Sequence, residues 1–271
     1  MLRGLIGVVH LPPLPGDPRH PGGGDFGTVE AWALADAEAL AAGGADAIVV
    51  ENFGSAPFPK GTAGQRLPPH QVATLALIAR ELRRRFGLPV GVNCLRNDAI
   101  SAVGLAAAAG LDFARVNVHV GAYLTDQGIL EGEAYETLRY RKTLGAERVA
   151  LLADVLVKHA VPLAPLDPAS VVRDTFERGL ADGVVVTGAA TGAAVNRERL
   201  ELVRRIAGDR PVYLGSGLTP ELAPTLCPLV EGAIVGTWLK EGGEVRAPVD
   251  PDRVRTLSEA VRGRFRTSAA G

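Results

Sequence analysis

Eight short apolar runs recur along the chain, and each ends abruptly in a polar residue or a glycine. They cover residues 5–9, 47–50, 90–93, 113–118, 148–153, 183–186, 212–214 and 233–235. Continuous apolar runs of this length, rich in valine, are the pattern of strands buried on both faces of a parallel sheet. Between them lie longer segments with helical periodicity. Thr28, Asp167, Asn196, Thr219 and Asp250 stand where a helix N-cap belongs, and Pro168, Pro220 and Pro251 can open a helix without needing an amide donor. Gly43, Gly110 and Gly145 close helices.

Strand and helix therefore alternate eight times. That predicts a single (β/α)8 TIM barrel over residues 1–266, with a frayed tail at 267–271. A weak internal repeat supports it. Gly43-Gly-Ala-Asp-Ala, Gly110-Leu-Asp-Phe and Gly179-Leu-Ala-Asp-Gly each end a helix and open an even-numbered strand, so the repeat spans two βα units. A doubly wound open sheet fits less well, because its phosphate-type glycine loop should follow the first strand and here such loops come late. Connections from helix to strand are short, whereas those from strand to helix are mostly long and polar; in barrels the latter build the catalytic face.

Composition narrows the function classes. A net charge of −1 gives no electrostatic case for nucleic acid. Two distant cysteines, Cys94 and Cys227, fit neither a disulfide framework nor a zinc motif, which suits a reducing, cytoplasmic setting. No apolar run is long enough to span a bilayer, so no membrane insertion is expected.

The predicted strand ends carry the chemistry. His10, Glu51, Asn93, Asn117 with His119, Asp154, Thr187 and Ser216 form a polar ring at the expected mouth. All five histidines and three of the four lysines fall on that face. Glu51 and Asp154 are the candidate acid and base, unless each is held by an arginine. Lys158 is placed to fix an anion or, with a lowered pKa, to form a Schiff base. His10, Asn93, His159 and Thr187 are candidates for binding substrate. The loops at Gly188, at Gly215-Ser216-Gly217 and at Gly236-Thr237, with Lys240, form a candidate phosphate grip after the last strands. His119 and His159 with Glu51 or Asp154 are donors a divalent metal could use. No H-x-H or H-x-x-x-H spacing backs this, so no metal site and no organic cofactor is assigned.

Several blocks together resemble the BtpA/SgcQ family: His10-Leu-Pro-Pro, Glu51-Asn-Phe-Gly, Asn93-Cys-Leu-Arg-Asn-Asp, Arg115-Val-Asn-Val-His, Thr125-Asp-Gln-Gly, Asp154-Val-Leu-Val-Lys-His, Gly215-Ser-Gly and Val235-Gly-Thr-Trp-Leu-Lys. The resemblance implies a barrel of the ribulose-phosphate-binding type, a type in which pairing through outer helices into a homo-oligomer is common. It implies no defined reaction. The family is named for a cyanobacterial factor needed to accumulate photosystem I, while other members look like parts of sugar-utilisation operons. Two functions follow as expectations. One is an enzyme of lyase, aldolase or isomerase type acting on a small phosphorylated metabolite, such as a sugar phosphate or nucleotide-derived compound. The other is a non-enzymatic photosystem I biogenesis factor, whose docking surface would have to use the arginine cluster at Arg80, Arg83, Arg84 and Arg85.

Overall fold

The apolar runs pair in parallel and close on themselves. A computed structural model describes residues 2–22, 25–157, 160–188 and 195–267. The predicted tail therefore lies mostly outside the described residues. The barrel strands are β1 (Gly4–His10), β2 (Ala47–Glu51), β3 (Val90–Asn93), β4 (Phe113–Val116), β7 (Ala150–Val155), β9 (Gly183–Val186), β10 (Val212–Leu214) and β11 (Gly232–Val235). They run in the order β1-β11-β10-β9-β7-β4-β3-β2 around a closed ring. Helices α1 (Phe26–Ala42), α2 (Pro69–Phe86), α3 (Ala99–Ala109), α4 (Ala134–Thr143), α5 (Pro168–Glu177), α6 (Arg197–Ala207), the short α7 (Ala223–Leu226) and α8 (Pro251–Val261) follow them in turn.

Strand periodicity divides the core in two. One parity of each strand points inward, and Ile6, Val8, Ala47, Val49, Phe113, Leu152, Val185, Tyr213 and Ile234 fill the barrel as a separate apolar cluster. The other parity joins the helices in the larger outer core. Gly91 makes room for the inward ring of Phe113: a Cβ there would stand 2.3 Å from its Cε2. Continued upward, the inward parity turns polar. It places His10, Glu51, Asn93, Arg115, Asn117, Asp154 and Thr187 one layer above the apolar plug.

The internal repeat has a physical cause. Asp46, Asp112, Asp182 and Glu231 directly precede β2, β4, β9 and β11, the second, fourth, sixth and eighth strands of the barrel in chain order. Each accepts the backbone N–H that starts the preceding odd one, at Leu5 (2.7 Å), Val90 (2.9 Å), Leu151 (2.8 Å) and Val212 (2.7 Å). The last three also pair with an arginine of the helix leading into their strand pair: Arg83, Arg141 and Arg204. Two βα units are thus stapled into one at the base of the barrel.

Three expectations need correction. The N-cap of α1 is Asp25, which accepts from Thr28 N, so Thr28 lies inside the helix rather than capping it. Pro220 does not open a helix. Residues 220–222 form a turn, and the Thr219 carbonyl takes the amides of Leu222 and Ala223 before α7 begins. The segments read as plain loops after the fourth and fifth barrel strands hold β5 (Ala122–Thr125), β6 (Gly128–Glu131) and β8 (Ala160–Pro162), an antiparallel sheet in the order β6-β5-β8. Tyr123 and Leu130 are buried with Val118 and Val157, seating this sheet on the barrel. Its turn, Asp126-Gln127, reaches the mouth. Among the described residues no helix is long and apolar enough to cross a membrane.

Candidate active site

The polar layer encloses a cavity of about 490 Å³. Its wall includes Val8, His10 and Glu51 on one side and Asn93, Arg115 and Asn117 below. The loop Gly215–Thr219, the segment Gly236–Trp238, and Arg96, Phe58, Asp126 and Gln127 also line it.

Arg115 organises this layer. Its Nε and Nη2 reach Asp154 Oδ1 and Oδ2 at 2.9 and 3.1 Å, and Nη1 donates to Glu51 Oε1 at 3.3 Å. Burial alone would lower its pKa, but Asp154 and Glu51 hold it above the ordinary arginine value. Asn93 Nδ2 also donates to Glu51 Oε1 (3.2 Å), and Asn117 Nδ2 to Asp154 Oδ2 (3.1 Å). Glu51 Oε2 lies 3.7 Å from His10 Nε2, and the His10 ring packs against Phe53 with centroids 4.6 Å apart. The two candidate carboxylates thus part company. Asp154 is forked onto Arg115 and does not line the cavity. Glu51 does, and it presents its second oxygen to the only histidine among the described wall residues.

Two asparagines that the sequence reading passed over hold the loops in place. Asn52 donates to Leu95 O (3.3 Å) and accepts from Leu95 N (2.8 Å). Asn97 donates to Val118 O (2.8 Å) and accepts from Val118 N (2.7 Å). Each amide mimics a strand partner, so the ends of β2, β3 and β4 stay in register beyond their last ladder bonds. For Asn52 the clue was its place directly after the candidate Glu51; Asn97 follows Arg96, which was not a candidate.

Other candidates are placed elsewhere. His119 is buried, its Nε2 2.7 Å from Gly179 O, and burial lowers its pKa; it packs outside the cavity instead of facing the mouth. Lys240 is fully buried on Asp36 at 2.5 Å, and burial pulls its pKa down although Asp36 pulls it up, so it does not close a phosphate grip. Asp36 also takes Val249 N, which explains the pairing as an anchor for the segment before α8. Thr187 is buried beneath Gly215, with Cγ2 only 2.5 Å from where a Gly215 Cβ would stand. Gly188 N donates to Ser216 Oγ at 3.2 Å and so ties the loop after β9 to the loop after β10. Gly215, Ser216, Gly217, Gly236 and Thr237 all line the cavity. Lys158 and His159 lie outside the described residues. Among the described residues no cluster of three His, Cys, Asp or Glu side chains is arranged to hold a metal.

Of the remaining histidines, His70 meets Pro15 O at 2.9 Å and His20 accepts from Gly22 N at 3.2 Å. They order the long first loop and take no part in the cavity. Sequence reasoning also missed Arg115, Arg96 and Arg253. Arg115 could have been found, because it is a charged residue on the same strand parity as Phe113 and Asn117.

The family model for "BtpA family" matches residues 1–263. The chain belongs to the BtpA family. A relative from Synechocystis, "Photosystem I biogenesis protein BtpA", is 48% identical over 95% of this chain and 87% of its own length. Among solved structures, N-(5'-phosphoribosyl)anthranilate isomerase from Pyrococcus furiosus superposes with a TM-score of 0.57 at 15% identity, over 96% of this chain and 99% of that one. Orotidine 5'-phosphate decarboxylase from Pyrococcus horikoshii does so with a TM-score of 0.55 at 14% identity, over 95% and 99%. This BtpA-family chain thus shares the (β/α)8 barrel fold of these two enzymes; identities this low carry the fold alone.

Proposed function

We propose that this BtpA-family barrel is an enzyme acting on a small phosphorylated metabolite. The phosphate sits at the loops after β10 and β11, on the backbone at Gly215–Gly217 and Gly236-Thr237, where barrels of this type frequently hold one. The observation that carries the reading is the shared cavity: the two glycine loops and the His10–Glu51 pair line the same 490 Å³ space. Names of the fold neighbours, phosphoribosylanthranilate isomerase and orotidine 5'-phosphate decarboxylase, refer to phosphorylated compounds, which supports the same class.

Proton transfer falls to Glu51 and His10. Glu51 accepts hydrogen bonds from Arg115 and Asn93 on one oxygen and turns the other toward His10. His10 then takes or gives a proton at a substrate carbon or hydroxyl, and Glu51 orients the ring and balances its charge. Asn93 and Asn117 offer amides to hydroxyls or to a developing oxyanion. Asp154 positions Arg115. Such a set suits isomerase, lyase or aldolase chemistry. A screen of phosphorylated sugars by ¹H NMR tests this. At least one should be turned over, and Glu51→Gln should lower kcat by about 10²-fold or more while still binding it. Equal turnover by Glu51→Gln and wild type would defeat the assignment.

A further inference from the structure

Among the described residues, the basic side chains lining the cavity are His10, Arg96, Arg115 and Arg253. Three of them stand against carboxylates. His10 faces Glu51, Arg115 pairs with Glu51 and Asp154, and Arg96, buried, lies within electrostatic range of Asp154, Asp126 and Glu51 as well as of Arg115. Arg253 differs. Among the described residues it forms no ion pair. Its Nε donates to Trp238 O at 2.6 Å, and its guanidinium carbon lies 4.5 Å from the Trp238 ring centroid. A guanidinium has five N–H donors, and these contacts use one of them and one face. The side chain is therefore fixed before any ligand arrives, and little rotamer freedom remains to be lost on binding. Trp238, which holds it, directly follows Gly236-Thr237 in the cavity wall.

The rest of the charged lining has another balance. Arg96 and Arg115 are set against Glu51, Asp126 and Asp154, one carboxylate more than there are guanidinium groups. A second anion on the ligand would meet net negative charge there. Asn93, Asn117, Gln127 and Glu51 instead offer donors and acceptors suited to hydroxyl groups.

We propose that Arg253 is the charge-neutralising phosphate ligand, and that the ligand carries a single anionic group, a phosphomonoester held there, on a neutral hydroxyl-bearing body. This rests on the phosphate reading above. It narrows the substrate class to monophosphorylated polyols and sugars, and away from bisphosphates and phosphorylated carboxylic acids.

Calorimetric titration of the full chain with inorganic phosphate, ribose 5-phosphate and ribulose 1,5-bisphosphate tests it. Wild type should bind phosphate and ribose 5-phosphate, and the bisphosphate no more tightly than the monophosphate. Arg253→Met should weaken ribose 5-phosphate at least about tenfold, the scale of one charged hydrogen-bonding partner. Arg253→Lys, which keeps the charge and loses the planar fork, should fall between and serves if Arg253→Met does not fold. Wild-type affinity for ribose 5-phosphate in either variant would overturn the role of Arg253, and a bisphosphate bound tenfold tighter would overturn the single-anion body. If wild type bound none of the three, the phosphate reading itself would fall, a result separable from the others.

Discussion

Gly236 lies against the imidazole of His10: a Cβ built on Gly236 would stand 2.7 Å from His10 Cε1 and 3.3 Å from Nε2. The last barrel strand thus delivers its glycine loop to the side chain that ends the first. No side chain larger than hydrogen fits between the anion loop and the proposed proton carrier. Gly236→Ala is expected to push the ring away from Glu51 and to cost about 1–3 kcal/mol, as overpacking does. His10→Ala should relieve that cost, so the double variant should be more stable than the two single effects predict. Urea unfolding of all four proteins measures the coupling.

Arg115 neutralises two buried carboxylates at once. Replacing it by methionine strands both, and breaking a buried pair from one side costs about 3–5 kcal/mol. Asp154→Asn should cost less, because the amide still accepts one bond and Glu51 still balances the guanidinium. The order of the two urea midpoints checks the hierarchy.

The amide of Asn97 closes two hydrogen bonds on the Val118 backbone within a buried layer. Asn97→Ala leaves both backbone groups without their partner, at about 1–3 kcal/mol each. Asn97→Asp keeps the acceptor for Val118 N but sets a buried carboxylate oxygen against Val118 O in place of the donor. The alanine variant should also loosen the β3–β4 loops, read as faster amide exchange at Val118.

His119 carries a pH signature. Burial places its folded pKa below the ordinary 6.5. As pH falls past 6.5, the unfolded chain binds a proton there before the folded one does, so stability is present above that pH and is lost toward the lowered value. Wild type should therefore lose stability on acidification from pH 7.5 to pH 5. His119→Gln should lose less, the difference amounting to about 1.4 kcal/mol for each tenfold by which burial weakens proton binding at the ring. Urea midpoints at the two pH values decide it.

How much of this was legible in the sequence follows from the forces involved. The barrel strands were readable because burial on both faces demands continuous apolar runs, and the predicted limits of 90–93, 183–186 and 212–214 match β3, β9 and β10. The β5–β6–β8 sheet was not readable. Its strands span only three or four residues, too few for Tyr123 and Leu130 to establish an alternation. Glu51, Asn93 and His10 reached the cavity as expected because strand parity fixes where they point. His119 and Lys240 did not, since both lie beyond the strand ends, where a loop can turn a polar side chain inward onto Gly179 O or Asp36. Arg253 was invisible for a third reason. It lies on α8, and only the closed fold brings that helix start beside Trp238.

The arginine-rich face of α2 illustrates the same limit from the other side. In the sequence it was the one cluster able to serve as a docking patch. In the fold Arg83 pairs with Asp112 at 2.9 Å and Arg84 with Glu81 at 2.8 Å, so much of its charge is answered within the chain.

The central claim is that an anion binds at the loops after β10 and β11, and amide NMR during titration with inorganic phosphate addresses it residue by residue. Saturable shifts of the Gly215, Gly217, Gly236 and Thr237 amides, with α2 unmoved, are the predicted result. Shifts confined to surface helices, or none at these four amides at saturating phosphate, would contradict it.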